Sequence, residues 1–337
     1  MKRIDFENGT ITGNILGAAL PMLVAQILNL LYNIVDRIYI ARIPEIGTAA
    51  LGAVGLCFPI IVIITAFSNL FGTGGAPLFS IFRGKKDPDT ARRIMNTSFT
   101  MLCVCAMVLM AVGFLFARPI LILFGASAEA IIYAYPYMML YLIGTLPSMI
   151  AVGMNPFINA QGYSSIGMLS VAIGAGTNLV LDPLFIFALG LGVRGAAIAT
   201  VISQCISASL VLRCMVKDTG PLHLDLKKMR LHPQAMRQIL RIGLPAGFQG
   251  ILFSLSNVVI QSSVNTFGEV IMAGNSAAAN IEQFVYVSMN AMYQATISFT
   301  SQNYGAGNYH RIRKIMIRAQ GCVLVVGLVL GNAATLA

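Results

Sequence analysis

Apolar residues fill the chain in long blocks separated by short polar or basic breaks. The blocks cover 13–41, 47–82, 94–117, 130–160, 164–190, 195–216, 238–266, 270–304 and 315–337. Each reaches the roughly 20 residues that a membrane-crossing helix needs. The pattern predicts an all-α integral membrane protein with about nine transmembrane helices. From Ala130 to Leu181 no residue is charged, and the turn-like Gln161-Gly162-Tyr163-Ser164-Ser165 is the only break. The first block lacks a small-residue cleavage site behind a short apolar core, so it reads as a retained span and not as a removable signal.

Composition agrees. Of 337 residues, 57% are hydrophobic and 10% are charged, against about 25% charged in a typical soluble domain. Lys and Arg number 22 and Asp and Glu 12, for a net charge of +10. In a soluble protein that excess would point to nucleic acid. Here, with the N-terminus placed in the cytoplasm, the inner segments at 2–3, 83–93, 213–241 and 311–318 hold eighteen of the 22 basic residues. Arg42, Arg118 and Arg194 fall on the other side, and Arg37 lies within the first span. The asymmetry accounts for the charge without a nucleic-acid partner. It predicts a multi-pass protein of the plasma membrane with a cytoplasmic N-terminus and the lipid bilayer as its surroundings. The six cysteines (57, 103, 105, 205, 214, 322) sit in apolar stretches, which excludes a secreted disulfide scaffold. Cys103-x-Cys105 lacks partners for a metal site, and His223, His232 and His310 fall in the basic loops.

The chain repeats itself. A shift of 224 pairs Ile15, Leu16, Leu20, Pro21, Leu28, Asn33 and Val35 with identical residues, and a shift of 221 pairs Ser80, Gly84, Arg92, Ile94 and Met95 with Ser301, Gly305, Arg313, Ile315 and Met316. Six spans precede the second copy, so both copies enter from the same side, as in transporters built from parallel repeats. The sequence therefore predicts an N-terminal six-helix lobe over 1–217, a polar, basic cytoplasmic linker over 218–235, and a partial C-terminal lobe of three helices over 236–337. The second lobe is three spans short and the chain stops inside an apolar stretch, so truncation is expected.

Four charged residues lie well inside spans: Asp36, Arg37, Asp182 and Glu282. A charge at the bilayer centre costs at least about 2.5–3.5 kcal/mol, so such residues usually face a cavity or a partner and serve function. Counting from the span ends places Asp36 and Asp182 at similar depth. Asn178 precedes Asp182 by one helical turn, and Thr200 comes to comparable depth. Two carboxylates with an amide and a hydroxyl suit a proton or a hard cation, with sodium possible at Asp36 and Asp182. Structural hydrogen bonding between helices is the rival reading. Pro183 follows Asp182 and Pro21 lies deep in the first span, where each can bend its helix. Glu282 can hold a cationic substrate or serve helix packing. The repeat partner of Asp36 is Ile260, so this chemistry belongs to the first half.

The Pro21 bend, Asn33-x-x-Asp36, Asn178-x-x-x-Asp182-Pro183, Gly195-Ala-Ala-x-Ala-Thr200 and Gln302-Asn303-Tyr304-Gly305-Ala306-Gly307 together resemble the multidrug and toxic compound extrusion (MATE) family, in its prokaryotic branch related to the DNA-damage-inducible protein F group. That resemblance implies two six-helix lobes in a V that exchange cationic drugs for protons or sodium, with no other cofactor. It implies an ion site at Asp36, Asn178, Asp182 and Thr200, a hinge at Pro21, and Tyr32, Tyr137 and Asn155 as further members of the network. A full-length form would act as a monomer.

The sequence thus favours a cation-coupled antiporter, not an enzyme, that exports small cationic or amphipathic compounds. A lipid-linked oligosaccharide flippase of related architecture is the first alternative, but it should grip pyrophosphate with several basic residues inside the lobes, and Arg37 stands alone. An inactive truncated transporter is the other. A membrane transferase would need clustered acids or histidines, and no Gly-rich Lys loop supports ATP-driven export.

Overall fold

The computed structural model describes residues 4–7, 9–217, 223–225 and 229–336, and among these every regular element is helical. Ten helices follow in order: α1 (Ile11–Ala41), α2 (Gly47–Gly84), α3 (Pro88–Leu123), α4 (Ala128–Ile143), α5 (Thr145–Ala160), α6 (Ser164–Pro183), α7 (Val193–Lys217), α8 (Pro233–Asn265), α9 (Glu269–Gly305) and α10 (Tyr309–Leu336). A π-helical turn, Leu184–Ala188, continues α6 beyond Pro183.

The helix starts follow local chemistry. Asp87 caps α3 by accepting a hydrogen bond from the Thr90 N–H at 3.0 Å, and Pro88 occupies the first turn, where its missing N–H costs nothing. The same hydrogen bond holds the Asp87 carboxyl below its usual range. Ser127 caps α4 through Ala130 N–H at 3.1 Å. Pro233 opens α8, so the last three residues of the expected 218–235 linker are helical instead. Residues 218–222 and 226–228 of that linker lie outside the described residues.

The expected single span 130–160 is divided. It is two 16-residue helices, α4 and α5, meeting at Gly144 with a bend of 56°. Pro147 explains the break: it falls in the first turn of α5, the one place in a helix where proline fits without losing a hydrogen bond. Among the described residues seven helices are long and apolar enough to cross a membrane, or eight when the bent pair is one span. The run expected at 270–304 is helix α9, which is not among them. Asn275, Glu282, Gln283, Asn290 and Gln294 recur along it and lower its hydropathy.

Two apolar clusters hold the bundle. The larger joins α2 to α7, with Ala235 and Ile239 from the start of α8. The smaller packs Phe6 and one face of α1 (Ile11, Ile15, Ala18, Ala19, Met22) against Ala291, Ala295 and Phe299 of α9 and Ile315 and Ala319 of α10. The contacts obey the sequence repeat. Gly74 of α2 lies against Ile239 and Gly243 of α8, much as Ala295 of α9 lies in one cluster with Ile15 and Ala19 of α1. The residues that join the two repeats lie in the halves of the helices nearest the end that carries Arg83, Lys85 and Lys86. Toward the opposite end, Leu31, Ile34 and Ile38 of α1 and Ile251, Val259 and Ile260 of α8 are exposed.

Candidate functional site

The site is set by three helices. Asp182 is fully buried on the last turn of α6, with Asn178 one turn before it, also buried. Asn178 Nδ2 donates to Asp182 Oδ1 at 3.2 Å and to Thr200 Oγ1 of α7 at 3.4 Å. Thr200 can come so near because Gly195, one turn earlier on α7, rests on the Phe185 backbone of the π-helical turn. A side chain there would hold the helices apart. Pro183 and the π turn shape this corner, as such irregular turns often do at functional sites.

Asp36 reaches the cluster from α1. The Asp36 and Asp182 carboxyl groups are within hydrogen-bonding reach of each other. No described protein group donates to Asp36 Oδ1 or to Asp182 Oδ2, and both atoms are buried. Ionised carboxylates only accept hydrogen bonds, so such a pair needs a proton or a cation between its members. Tyr32, one turn before Asp36, and Tyr137 of α4 stand beside it. Tyr141, which sequence reasoning passed over, belongs to the same surroundings and stacks on Tyr137 with ring centroids 6.2 Å apart. Its spacing of four from Tyr137 was the available signal.

Other candidates are placed elsewhere. Asn155 of α5 donates to the Gly167 carbonyl at 3.2 Å and to Ser170 Oγ at 3.4 Å, so it belongs to a second polar group nearer the basic end. Glu282 is exposed on α9 and has no hydrogen-bond or ion-pair partner among the described residues. Arg37 turns away from the pair and lies over the Phe58 ring, 5.3 Å from its centroid. Pro21 sits at a boundary. The buried residues of α1 run from Ile11 to Met22, and the next is Ile40. The proline therefore separates a firmly packed half from the half that carries Asp36. It also leaves the Gly17 carbonyl without its helical donor.

Residues 21–184 and 245–337 match the MatE family model. The chain belongs to the MatE family. A relative, the multidrug export protein MepA of Staphylococcus haemolyticus, is 25% identical over 299 residues, covering 89% of this chain and 66% of that protein. Two solved structures share the fold. MATE in the straight conformation aligns with a TM-score of 0.90 at 25% identity over 98% of this chain and 74% of its own. A multidrug resistance MATE family transporter in an outward-facing conformation gives 0.89 at 25% identity, over 98% and 73%. This MatE chain thus spans about two thirds to three quarters of the length of these relatives. MATE proteins of this kind are membrane transporters and not enzymes.

Proposed function

We propose that this MatE chain exports small cationic or amphipathic compounds across the plasma membrane in exchange for a coupling ion, with its N-terminus in the cytoplasm. The carrying observation is the Asp36–Asp182 pair, in which the buried atoms Asp36 Oδ1 and Asp182 Oδ2 have no donor among the described residues. The multidrug export activity named for MepA and the basic residues gathered at one end of the bundle support the direction and the orientation.

The geometry favours a proton over sodium as the coupling ion. Asn178 turns its Nδ2, a donor, toward Asp182. A sodium ion would need the carboxylate oxygens and the Thr200 hydroxyl gathered around it with the Asn178 N–H turned away. A proton needs only the two carboxyl oxygens. The coupling ion acts by binding one conformation better than the other. Protonation removes the repulsion across the pair and lets α1 close on α6, and Pro21 supplies the bend. A one-for-one exchange of a proton for a monovalent cation moves no net charge, so a pH gradient drives it at about 1.4 kcal/mol, or tenfold, per unit.

Proteoliposomes test the proposal. Asp36→Asn and Asp182→Asn should abolish ion-driven dye efflux while leaving insertion intact, and Ile260→Ala should not. Normal efflux by both Asn variants would reduce the pair to a structural hydrogen-bond cluster.

A further inference from the structure

Residues 4–7 and Gly9, ahead of α1, form a strap at the basic end that is tied to both repeats. On the side of the first repeat, the Ile4 N–H donates to the Gly162 carbonyl, in the turn between α5 and α6, at 3.0 Å. On the side of the second, Asn303 Nδ2 of α9 donates to the Phe6 carbonyl at 3.1 Å, and the Arg311 guanidinium of α10 donates to the Gly9 carbonyl. The Phe6 side chain is fully buried among α1, α9 and α10, with its ring 5.5 Å from that of Phe299.

The strap is held with more order than a chain end needs, since termini that nothing ties down fray. Three of its carbonyls accept from side chains: Phe6 and Gly9 as above, and Asp5 from Asn14 Nδ2 at 2.6 Å. Gly9 lies so close over Asn14 that a Cβ there would come within 2.6 Å of Asn14 Oδ1. Arg311 also lies over the Phe299 ring, 5.5 Å from its centroid, which adds a cation to the aromatic pair. Asn303 belongs to the Gln302-to-Gly307 turn, which the Asp36–Asp182 site leaves unused. It bonds the Phe299 carbonyl of its own helix at 2.9 Å as well, so one amide joins the strap to the ring that seats it.

The two ties are close together along the chain. Ile4 and Phe6 are two residues apart, which is about 7 Å of fully extended backbone. The strap therefore cannot follow both repeats if they part at this end. Either Ile4 leaves Gly162 or Phe6 leaves Phe299 and Asn303.

We infer that this strap is a latch that holds the basic end shut and leaves its seat each time that end opens. The inference rests on the export reading, in which the basic end opens to admit cargo. A contact made in only one conformation shifts the equilibrium toward that conformation by the free energy the contact supplies. Burial of the Phe6 ring and the held carbonyls favour the closed form, and a chain deprived of them opens more often.

Cysteine labelling tests the latch. Ile239 of α8 is fully buried with its backbone against Gly74 of α2, in the seam between the repeats, and in a different apolar cluster from Phe6. In the full chain with its six cysteines replaced, held in nanodiscs that leave both faces open to reagent, Ile239→Cys reports that seam. Adding Phe6→Ala or Asn303→Leu should speed its reaction with a charged methanethiosulfonate at least tenfold, and Phe6→Leu should keep most of the protection. Met149→Cys, in the apolar core of the first repeat, should stay equally slow in every variant. An Ile239→Cys rate unchanged by both Phe6→Ala and Asn303→Leu overturns the inference, because the strap would then only ride on the bundle. Faster labelling of Met149→Cys overturns it too, because the whole bundle would be loosened. Failure of the export reading shows differently: the parent chain effluxes no dye in proteoliposomes, while Phe6→Ala still speeds labelling at Ile239→Cys alone.

Discussion

Gly84 and Gly305 each lie against the backbone of the other's helix. Gly84 meets the Gln302 carbonyl on α9, and Gly305 meets the Ile81 carbonyl on α2. The two glycines are repeat partners, and so are Ile81 and Gln302, which makes the contact symmetric within one chain. It closes the basic end of the bundle. A methyl group at either position would strike a carbonyl oxygen held by its own helix, which cannot move aside as a flexible side chain would. Gly84→Ala and Gly305→Ala should therefore favour the conformation in which this end is open. Spin-label distances across the pair should lengthen in either variant, and unchanged distances would remove the argument.

Pro21 separates the packed from the loosely packed half of α1. Pro21→Ala restores the donor for the Gly17 carbonyl and stiffens the helix, a change whose sign follows from the high cost of proline inside helices. Ion binding should persist while the conformational change slows at least tenfold. Stopped-flow fluorescence from a reporter on the outer half of α1 reads the rate, and a rate equal to the wild type would exclude the hinge.

Asn178 holds both Asp182 and Thr200. Asn178→Leu leaves the second Asp182 oxygen without a donor, so both carboxylate oxygens lack partners. A buried group left unsatisfied costs about 1–3 kcal/mol. Thermal unfolding in detergent should show that loss, and Asp182→Asn in the same chain should recover part of it. Fully additive losses would mean that the two side chains are not coupled.

Asp87 supplies a control away from the site. Its carboxyl is held below its usual range by the Thr90 N–H, so the stabilisation is present above the unfolded-state value and is lost as pH falls through the folded one. Asp87→Ala should cost about 1 kcal/mol, the usual loss for a helix cap. The stability difference between wild type and variant should shrink below about pH 4, with proton-driven efflux at neutral pH unaffected.

The membrane class, the parallel repeat and the pairing of Asp36 with Asp182 at one depth were legible in the sequence, because apolar run length, a fixed repeat shift and 1.5 Å per residue are properties of the chain alone. The step from Asn178 to Asp182 needed only the helical period. Tertiary structure decided the rest. The bend at Gly144 depended on how α4 and α5 pack, since an unbroken uncharged run from Ala130 is equally compatible with one straight helix. Asn155 left the carboxylate group because its partners, Gly167 and Ser170, are on another helix. Tyr141 entered it for the same reason. The buried face of α6 was half visible, as Gly167, Ser170, Gly174, Asn178 and Asp182 share one helical face by spacing. Whether that face meets lipid, apolar side chains or the hydroxyls of Ser203 and Ser207 is fixed by the neighbouring helices, and local sequence carries no record of which helix stands opposite.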